Sequence, residues 1–138
     1  MRKLNVAVAG ATGAVGEELL GLLVERAFPY DKLSLLASPR SAGRKITVGE
    51  REYTVEAISP QSFGGVDVAF FSAGGGVSLE YVPHAVAAGT VVIDNTSAYR
   101  MDPEVPLVVP EVNAADIPTH KGIIANPNCS TTIMVMVL

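Results

Sequence analysis

The chain of 138 residues carries a single cysteine, in the run Ala125-Asn126-Pro127-Asn128-Cys129-Ser130-Thr131-Thr132. An apolar run ends just before it and a helical pattern begins at it. A thiol at a helix N-terminus sits against unpaired N–H groups and the positive end of the dipole, which favour its thiolate form. A thiolate can attack an aldehyde carbon. The thiohemiacetal so formed passes hydride to a nicotinamide and leaves a thioester. The plain alternative is a small buried side chain that merely opens a helix. Which of the two holds depends on whether nucleotide-binding residues reach the same place.

Three segments point to such a nucleotide. Leu4 to Ala9 leads into Gly10-Ala11-Thr12-Gly13-Ala14-Val15-Gly16 and then into an amphipathic pattern. Glycines here permit a tight turn, close approach of backbone to a pyrophosphate, and a helix that starts near its strand. The exposed N–H groups favour phosphate charge. The spacing is G-x-x-G-x-x-G, so its weight comes from the order strand, loop, helix. Gly10, Ala11, Thr12, Gly13, Ala14 and Val15 are the expected contacts. The second strand runs out into Ala37-Ser38-Pro39-Arg40-Ser41-Ala42-Gly43-Arg44. An NAD site usually places Asp or Glu there for the ribose 2′-hydroxyl. Hydroxyls and a guanidinium instead suit a phosphate dianion, so Ser38, Arg40 and Ser41 predict NADP. Ser72-Ala73-Gly74-Gly75-Gly76 follows a later strand on the same carboxyl edge. Its small residues leave room for the nicotinamide half, which assigns Ser72, Ala73 and Gly74 to the cofactor.

These segments need a scaffold that brings strand ends together. Leu4–Ala9, Lys32–Ala37, Asp67–Ser72, Thr90–Asp94 and Lys121–Ala125 read as buried strands. Gly13–Ala27 and Ser78–Ala88 read as helices. In the first, Val15, Leu19, Leu22, Leu23 and Ala27 form one stripe. In the second, Pro83 would sit in the first turns. Lys45–Val48 and Glu52–Val55 alternate and form an edge hairpin turned at Gly49-Glu50-Arg51. Asn95–Asp116 is a long Pro-containing stretch with one extended run, Pro106–Val109. Cys129–Leu138 opens a last helix. This alternation predicts an α/β fold, a Rossmann-like doubly wound, mostly parallel sheet.

Apolar residues make up 49% of the chain, enough for one core, and the net charge is −4. No Lys/Arg cluster could track nucleic-acid phosphates or an anionic membrane. No apolar run is long enough to span a bilayer, and the N-terminus has no secretory cleavage pattern. The expectations are therefore a cytoplasmic protein with a small-molecule substrate, no nucleic acid, no membrane and no metal.

Four segments resemble the aspartate-β-semialdehyde dehydrogenases, and together they cover essentially the whole chain. They are Val8-Ala9 with the loop to Gly16; Ala37 to Gly43; Asp94-Asn95-Thr96-Ser97-Ala98-Tyr99-Arg100 with Val108-Val109-Pro110-Glu111-Val112-Asn113; and Asn126-Pro127-Asn128-Cys129-Ser130-Thr131. The last two are the specific ones. The resemblance implies NADP-dependent interconversion of aspartyl-β-phosphate and aspartate-β-semialdehyde plus phosphate. That step serves lysine, threonine, methionine and diaminopimelate cell-wall precursor biosynthesis. It implies Cys129 as nucleophile, Asn128 holding substrate and thioester, Arg100 binding the phosphate or phosphoryl group, and Asn95 approaching the nicotinamide. Full-length relatives are implied to be homo-oligomers, dimers or tetramers.

The family's acid–base histidine, substrate-carboxylate arginine and acyl-site glutamine lie in a second, catalytic and dimerisation domain beyond the cysteine. His120 precedes the last strand, roughly 15–20 Å from Cys129. His84 lies on a helix about 10 Å below the ligand edge. Neither substitutes. Ser130–Leu138 is nearly all apolar and stops within a helix, so residues 1–138 read as an NADP-binding domain, incomplete at its C-terminal end. It is expected to pair through its apolar end and not to turn over substrate alone. Two rivals remain. N-acetyl-glutamyl-phosphate reductases share the loop and the cysteine but usually place Gly where Asn128 stands. A non-catalytic nucleotide-binding module would carry an inert Cys129.

Overall fold

The computed structural model describes all 138 residues. In chain order the elements are β1 (Leu4–Ala9), α1 (Ala14–Glu25), β2 (Tyr30–Ala37), β3 (Lys45–Val48), β4 (Arg51–Thr54), β5 (Glu56–Ala57), β6 (Val68–Phe71), α2 (Gly75–Ala87), β7 (Val91–Asp94), α3 (Pro110–Asn113), β8 (Ile123–Ala125) and α4 (Cys129–Val137). Six strands form one sheet in the order β5-β2-β1-β6-β7-β8, and every pairing in it is parallel. The hairpin β3–β4 stands apart as a two-stranded antiparallel sheet. From β1 the chain winds outward to β2. It then returns to β6 and winds the other way through β7 and β8. The reversal falls between β1 and β6, and their carboxyl ends flank the crevice where ligands bind in such sheets.

Successive strand residues point to opposite faces, and two cores result. Val6, Val8, Leu33 and Leu35 pack under Leu20 and Leu23 of α1. Ala7, Ala9, Leu36, Ala69, Phe71 and Val92 pack under Val82 and Ala85 of α2. The stripe expected on α1 is rotated. Gly16, Leu20 and Leu23, at i, i+4 and i+7, face the sheet, whereas Val15 is 51% and Leu22 42% exposed. Gly16 explains the turn of the helix: its missing side chain allows the helix backbone to lie on the loop before it, and the larger neighbours roll outward.

Several other boundaries move. α2 begins at Gly75, so Pro83 stands ninth in a 13-residue helix and not in its first turns. β5 is a two-residue strand at the sheet edge, just past the hairpin, where no strand was expected. Within the expected loop, Pro110–Asn113 is a short helix and Ala114–Thr119 a 3-10 segment. Leu107 makes one parallel bridge to Ala125, where a run to Val109 was expected. No helix is long and apolar enough to cross a membrane.

Candidate functional site

The glycine loop between β1 and α1 is shaped by two contacts that no side chain could share. Gly10 has φ +93°, and a Cβ there would lie 2.8 Å from the Ser72 carbonyl carbon. A Cβ on Gly16 would lie 2.1 Å from the Gly10 carbonyl oxygen. Glycine is thus the residue that lets this loop rest on the end of β6 and lets α1 rest on the loop. At Gly13, by contrast, an added Cβ meets the Gly10 carbonyl oxygen at an ordinary 3.5 Å. The Gly13 N–H donates to that oxygen at 3.1 Å. The backbone amides of Thr12, Ala14, Val15 and Gly16 find no acceptor within the protein, and Gly13 offers no side-chain cap to them. Free amides at the first turn of a helix form an anion cradle.

Two clefts open beside this cradle. The first, about 460 Å³, has Gly10, Thr12 and Gly13 on one side and Ser38, Ser72 and Ala73 around it. Its apolar wall comes from Leu36, Pro39, Ile58, Val77 and Tyr81, with Glu80 at the rim. The second, about 310 Å³, lies on the α1 face and is bounded by Val15, Ser72, Asn95 and Asn126. Its apolar floor is Leu19, Leu22, Phe70 and Ile93, and Glu18 is its one acid. Ser72 belongs to both clefts, and its hydroxyl donates to the Ala9 carbonyl at 3.3 Å, fixing the shared wall. Ile58, Val77, Glu80 and Tyr81 carry no motif. Val77, Glu80 and Tyr81 come with the crossover that lays α2 beside β6, and Ile58 with the edge strand β5, whose following amide donates to the Ala37 carbonyl at 2.9 Å. The Tyr81 hydroxyl is pushed above its usual range by hydrogen bonding to Glu80 and then by burial.

Other expected residues fall as follows. Ala11 is fully buried and contributes only backbone, its N–H donating to the Leu36 carbonyl at 3.2 Å. Ala14 and Gly74 border the cradle and the α2 start without lining either cleft. Ser38 lines the first cleft. Arg40 and Ser41 lie one turn further, in the 3-10 segment Pro39–Ser41, and the Arg40 side chain takes no partner within the protein. Ser38 precedes that segment with extended backbone, and of the turn only Ser38 and Pro39 line the cleft.

The ends of β7 and β8 are stitched by Arg100. Its Nε donates to the Asn126 carbonyl at 2.7 Å and its Nη2 to the Asn95 carbonyl at 3.0 Å. The Asn126 amide approaches the Asn95 side-chain oxygen at 3.4 Å. Asn126 also donates its N–H to the Asp94 carbonyl at 2.8 Å. The chain then turns through Pro127 to Asn128, whose Oδ1 accepts the Thr131 N–H at 2.8 Å and caps α4. Cys129 is the first residue of α4 and is exposed. Because β8 runs parallel to β1, Cys129 emerges at the same edge of the sheet as the glycine loop. His120 lies at the opposite end of β8, where its Nδ1 accepts the Gly122 N–H at 3.0 Å. His84 is exposed in the tenth position of α2.

A parallel doubly wound sheet, a glycine loop at its switch point and free amides facing a two-part cleft define a dinucleotide-binding domain. Residues 5–120 match the family described as "Semialdehyde dehydrogenase, NAD binding domain", and the chain belongs to that family. It is 60% identical over 137 residues to an aspartate-semialdehyde dehydrogenase of Bacillus subtilis, covering 99% of this chain and 40% of that relative. A crystal structure of aspartate semialdehyde dehydrogenase II from Vibrio cholerae complexed with ASA superposes with a TM-score of 0.94 at 49% identity, covering 97% of this chain and 44% of that one. An aspartate semialdehyde dehydrogenase with NADP from Candida albicans gives a TM-score of 0.79 at 30% identity, covering 96% and 45%. The chain spans about 40% of the length of the curated relatives it matches.

Proposed function

We propose that residues 1–138 are the NADP-binding portion of an aspartate-semialdehyde dehydrogenase, in which Cys129 is the nucleophile. The observation that carries the reading is the position of Cys129. It opens a helix directly beyond the carboxyl end of β8, exposed, on the edge where the glycine loop ends β1. The likeness to relatives of that name supports it.

In this reading the adenosine half lies along Leu36, Ile58, Val77 and Tyr81 in the first cleft. The pyrophosphate takes the free amides of Thr12 and Ala14–Gly16, and the second half reaches Asn95 in the second cleft. Ser38 in the cleft wall, with Arg40 and Ser41 one turn further, supplies hydroxyls and a guanidinium for a 2′-phosphate. The nucleotide would supply the hydride acceptor. The Cys129 sulfur forms the bond to the aldehyde carbon, and the thioester left after oxidation is cleaved by phosphate, which restores the thiolate. Arg100 spends Nε and Nη2 on backbone carbonyls. Its remaining N–H groups are the ones offered to phosphate. The Oδ1 of Asn128 is taken by its cap, so its Nδ2 is the group offered to the substrate side.

Titration calorimetry tests the nucleotide assignment. NADP is expected to bind more tightly than NAD, and Arg40→Ala to remove about tenfold of that preference, the size of one charge-assisted hydrogen bond. Equal affinity for the two nucleotides in the unaltered chain refutes the 2′-phosphate role. Neither histidine stands at the Cys129 edge, so the 138 residues alone are expected to bind nucleotide without turnover. Steady NADPH formation from aspartate semialdehyde, NADP and phosphate at an enzyme-like rate contradicts this.

A further inference from the structure

Asp94 ends β7 with no exposed surface. A buried carboxyl group normally has a cation beside it, yet none of the ion pairs in the molecule involves Asp94. Hydroxyls and an amide surround it instead. The Ser78 hydroxyl donates to Oδ1 at 3.0 Å, and the Thr96 N–H donates to the same oxygen at 2.9 Å. The Thr96 hydroxyl donates to Oδ2 at 3.0 Å and lies 3.1 Å from the Ser78 hydroxyl. The Thr96 oxygen in turn accepts the Ala98 N–H at 3.2 Å. Ser78 and Thr96 are themselves buried. Ser78 belongs to the first turns of α2, and Gly75 packs its backbone against Ser97, 3.7 Å from where a Cβ would stand. One carboxyl group thus ties three things together: the end of β7, the start of α2, and the loop 95–100.

That loop delivers Arg100, and Arg100 grips the Asn126 carbonyl three residues before Cys129. We propose that Asp94 is a positioning residue. Its buried carboxyl group, through Ser78 and Thr96, holds the loop from which Arg100 secures the turn leading to Cys129. The proposal rests on the reading that Cys129 and Arg100 belong to one reactive site. It adds that their geometry is set from beneath by a residue that touches neither substrate nor cofactor. Amide donors cannot reverse direction. An Asn at 94 could keep its oxygen for the Thr96 N–H only by turning its N–H₂ on the Thr96 hydroxyl, which would then have to rotate away from it; the carboxylate, an acceptor at both oxygens, suits the donors as they stand.

The test uses the 138-residue chain and four variants. Thr96→Val removes the hydroxyl at nearly constant volume, and Thr96→Ser restores it. Ser78→Ala removes the other hydroxyl. Arg100→Lys leaves the Asp94 cluster intact and breaks the two-pronged grip. Amide hydrogen exchange, the rate of Cys129 alkylation by iodoacetamide, thermal unfolding and NADP titration are read on each. Thr96→Val is expected to speed exchange both at 96–98 and, some thirty residues away, at 126–129. It should slow alkylation about fivefold, the effect of one lost buried hydrogen bond on a local equilibrium. Thr96→Ser should return both signals to within about twofold of the unaltered chain. Arg100→Lys should affect 126–129 alone. If Thr96→Val melts the protein, Ser78→Ala is read in its place. Cooperative unfolding of the variant read, with 126–129 exchange and alkylation unchanged, overturns the proposal and leaves a merely structural cluster. NADP binding separates this from the broader reading. An unaltered chain that binds no NADP defeats the proposed function. Equal NADP binding by all variants, with flat exchange and alkylation, defeats only the role of Asp94.

Discussion

Ala27 is the one non-glycine residue in the left-handed region, at φ 48°. It follows the end of α1, where its N–H reaches back to the Val24 carbonyl at 3.0 Å. A side chain in that conformation costs about 1–2 kcal/mol, and glycine is the usual occupant of such a helix end. Ala27→Gly is therefore expected to raise stability by about 1 kcal/mol, or about 4 °C in Tm, after the added freedom of the unfolded chain is subtracted. Calorimetric melting checks it, and a lower Tm contradicts it. At this scale the sequence was most legible in where the motif residues fall in the fold. Cys129, the glycines at 10 and 16 and the turn at Ser38 stand where the motifs placed them. The division of labour among them was hidden. That Gly10 and Gly16 serve internal contacts, that Asn128 spends its oxygen on a cap, and that Arg100 spends two donor groups on carbonyls are consequences of tertiary neighbours.

The helices and strands show the same limit in another form. Hydrophobic spacing found α1 but not its rotation, because Val15 and Leu22 are as apolar as Leu20 and Leu23. What decides between the two stripes is Gly16 against the Gly10 carbonyl, a contact outside any periodicity. The segment 110–119 reads as a loop because its prolines interrupt every pattern. Pro110 in fact starts α3, where a missing N–H costs nothing, and Asn113 fixes the segment by accepting the Val109 N–H at 2.8 Å. α2 shows the opposite case. Pro83 lies in its interior and removes the donor that would reach the Leu79 carbonyl. Proline in such a place costs up to about 3 kcal/mol relative to alanine. Pro83 is exposed, so its ring has little packing to lose. Pro83→Ala is expected to stabilise the domain by about 1–2 kcal/mol, the remainder being lost to greater freedom in the unfolded chain. Urea unfolding at constant m-value measures it, and a lower midpoint refutes it.

For the whole molecule the ionisable groups that shift all shift one way. Tyr30 is raised by burial and by the neighbouring Tyr53 hydroxyl. Tyr99 is raised by burial and then by Asp94 and Asp102. Tyr81 is raised by Glu80 and then by burial, and Lys121 by hydrogen bonding to Glu104. A group that holds its proton more tightly when folded contributes stability below its unfolded value, and that stability is lost as pH rises through the folded one. All four place the loss on the alkaline side. Tm is expected to fall as pH passes about 10, and Tyr99→Phe to blunt that fall. An unchanged slope in Tyr99→Phe removes Tyr99 from the account. The doubly wound order of strands was legible at this scale because each buried strand is a short apolar run bounded by glycine or polar turns. The two-residue β5 and the second cleft were not, since they arise only when distant strands lie side by side. One contact has a wider consequence. Gly10 and Ser72 meet with no space between them, so neither loop can gain a side chain, or shift by a residue, unless the other is recut at the same time. The two strand ends behave as a single keystone. Tolerance to change is then displaced to the outer turn, where Ser38 and Arg40 are exposed. A domain built this way can be retuned for a different nucleotide at its periphery while its centre stays mutationally frozen.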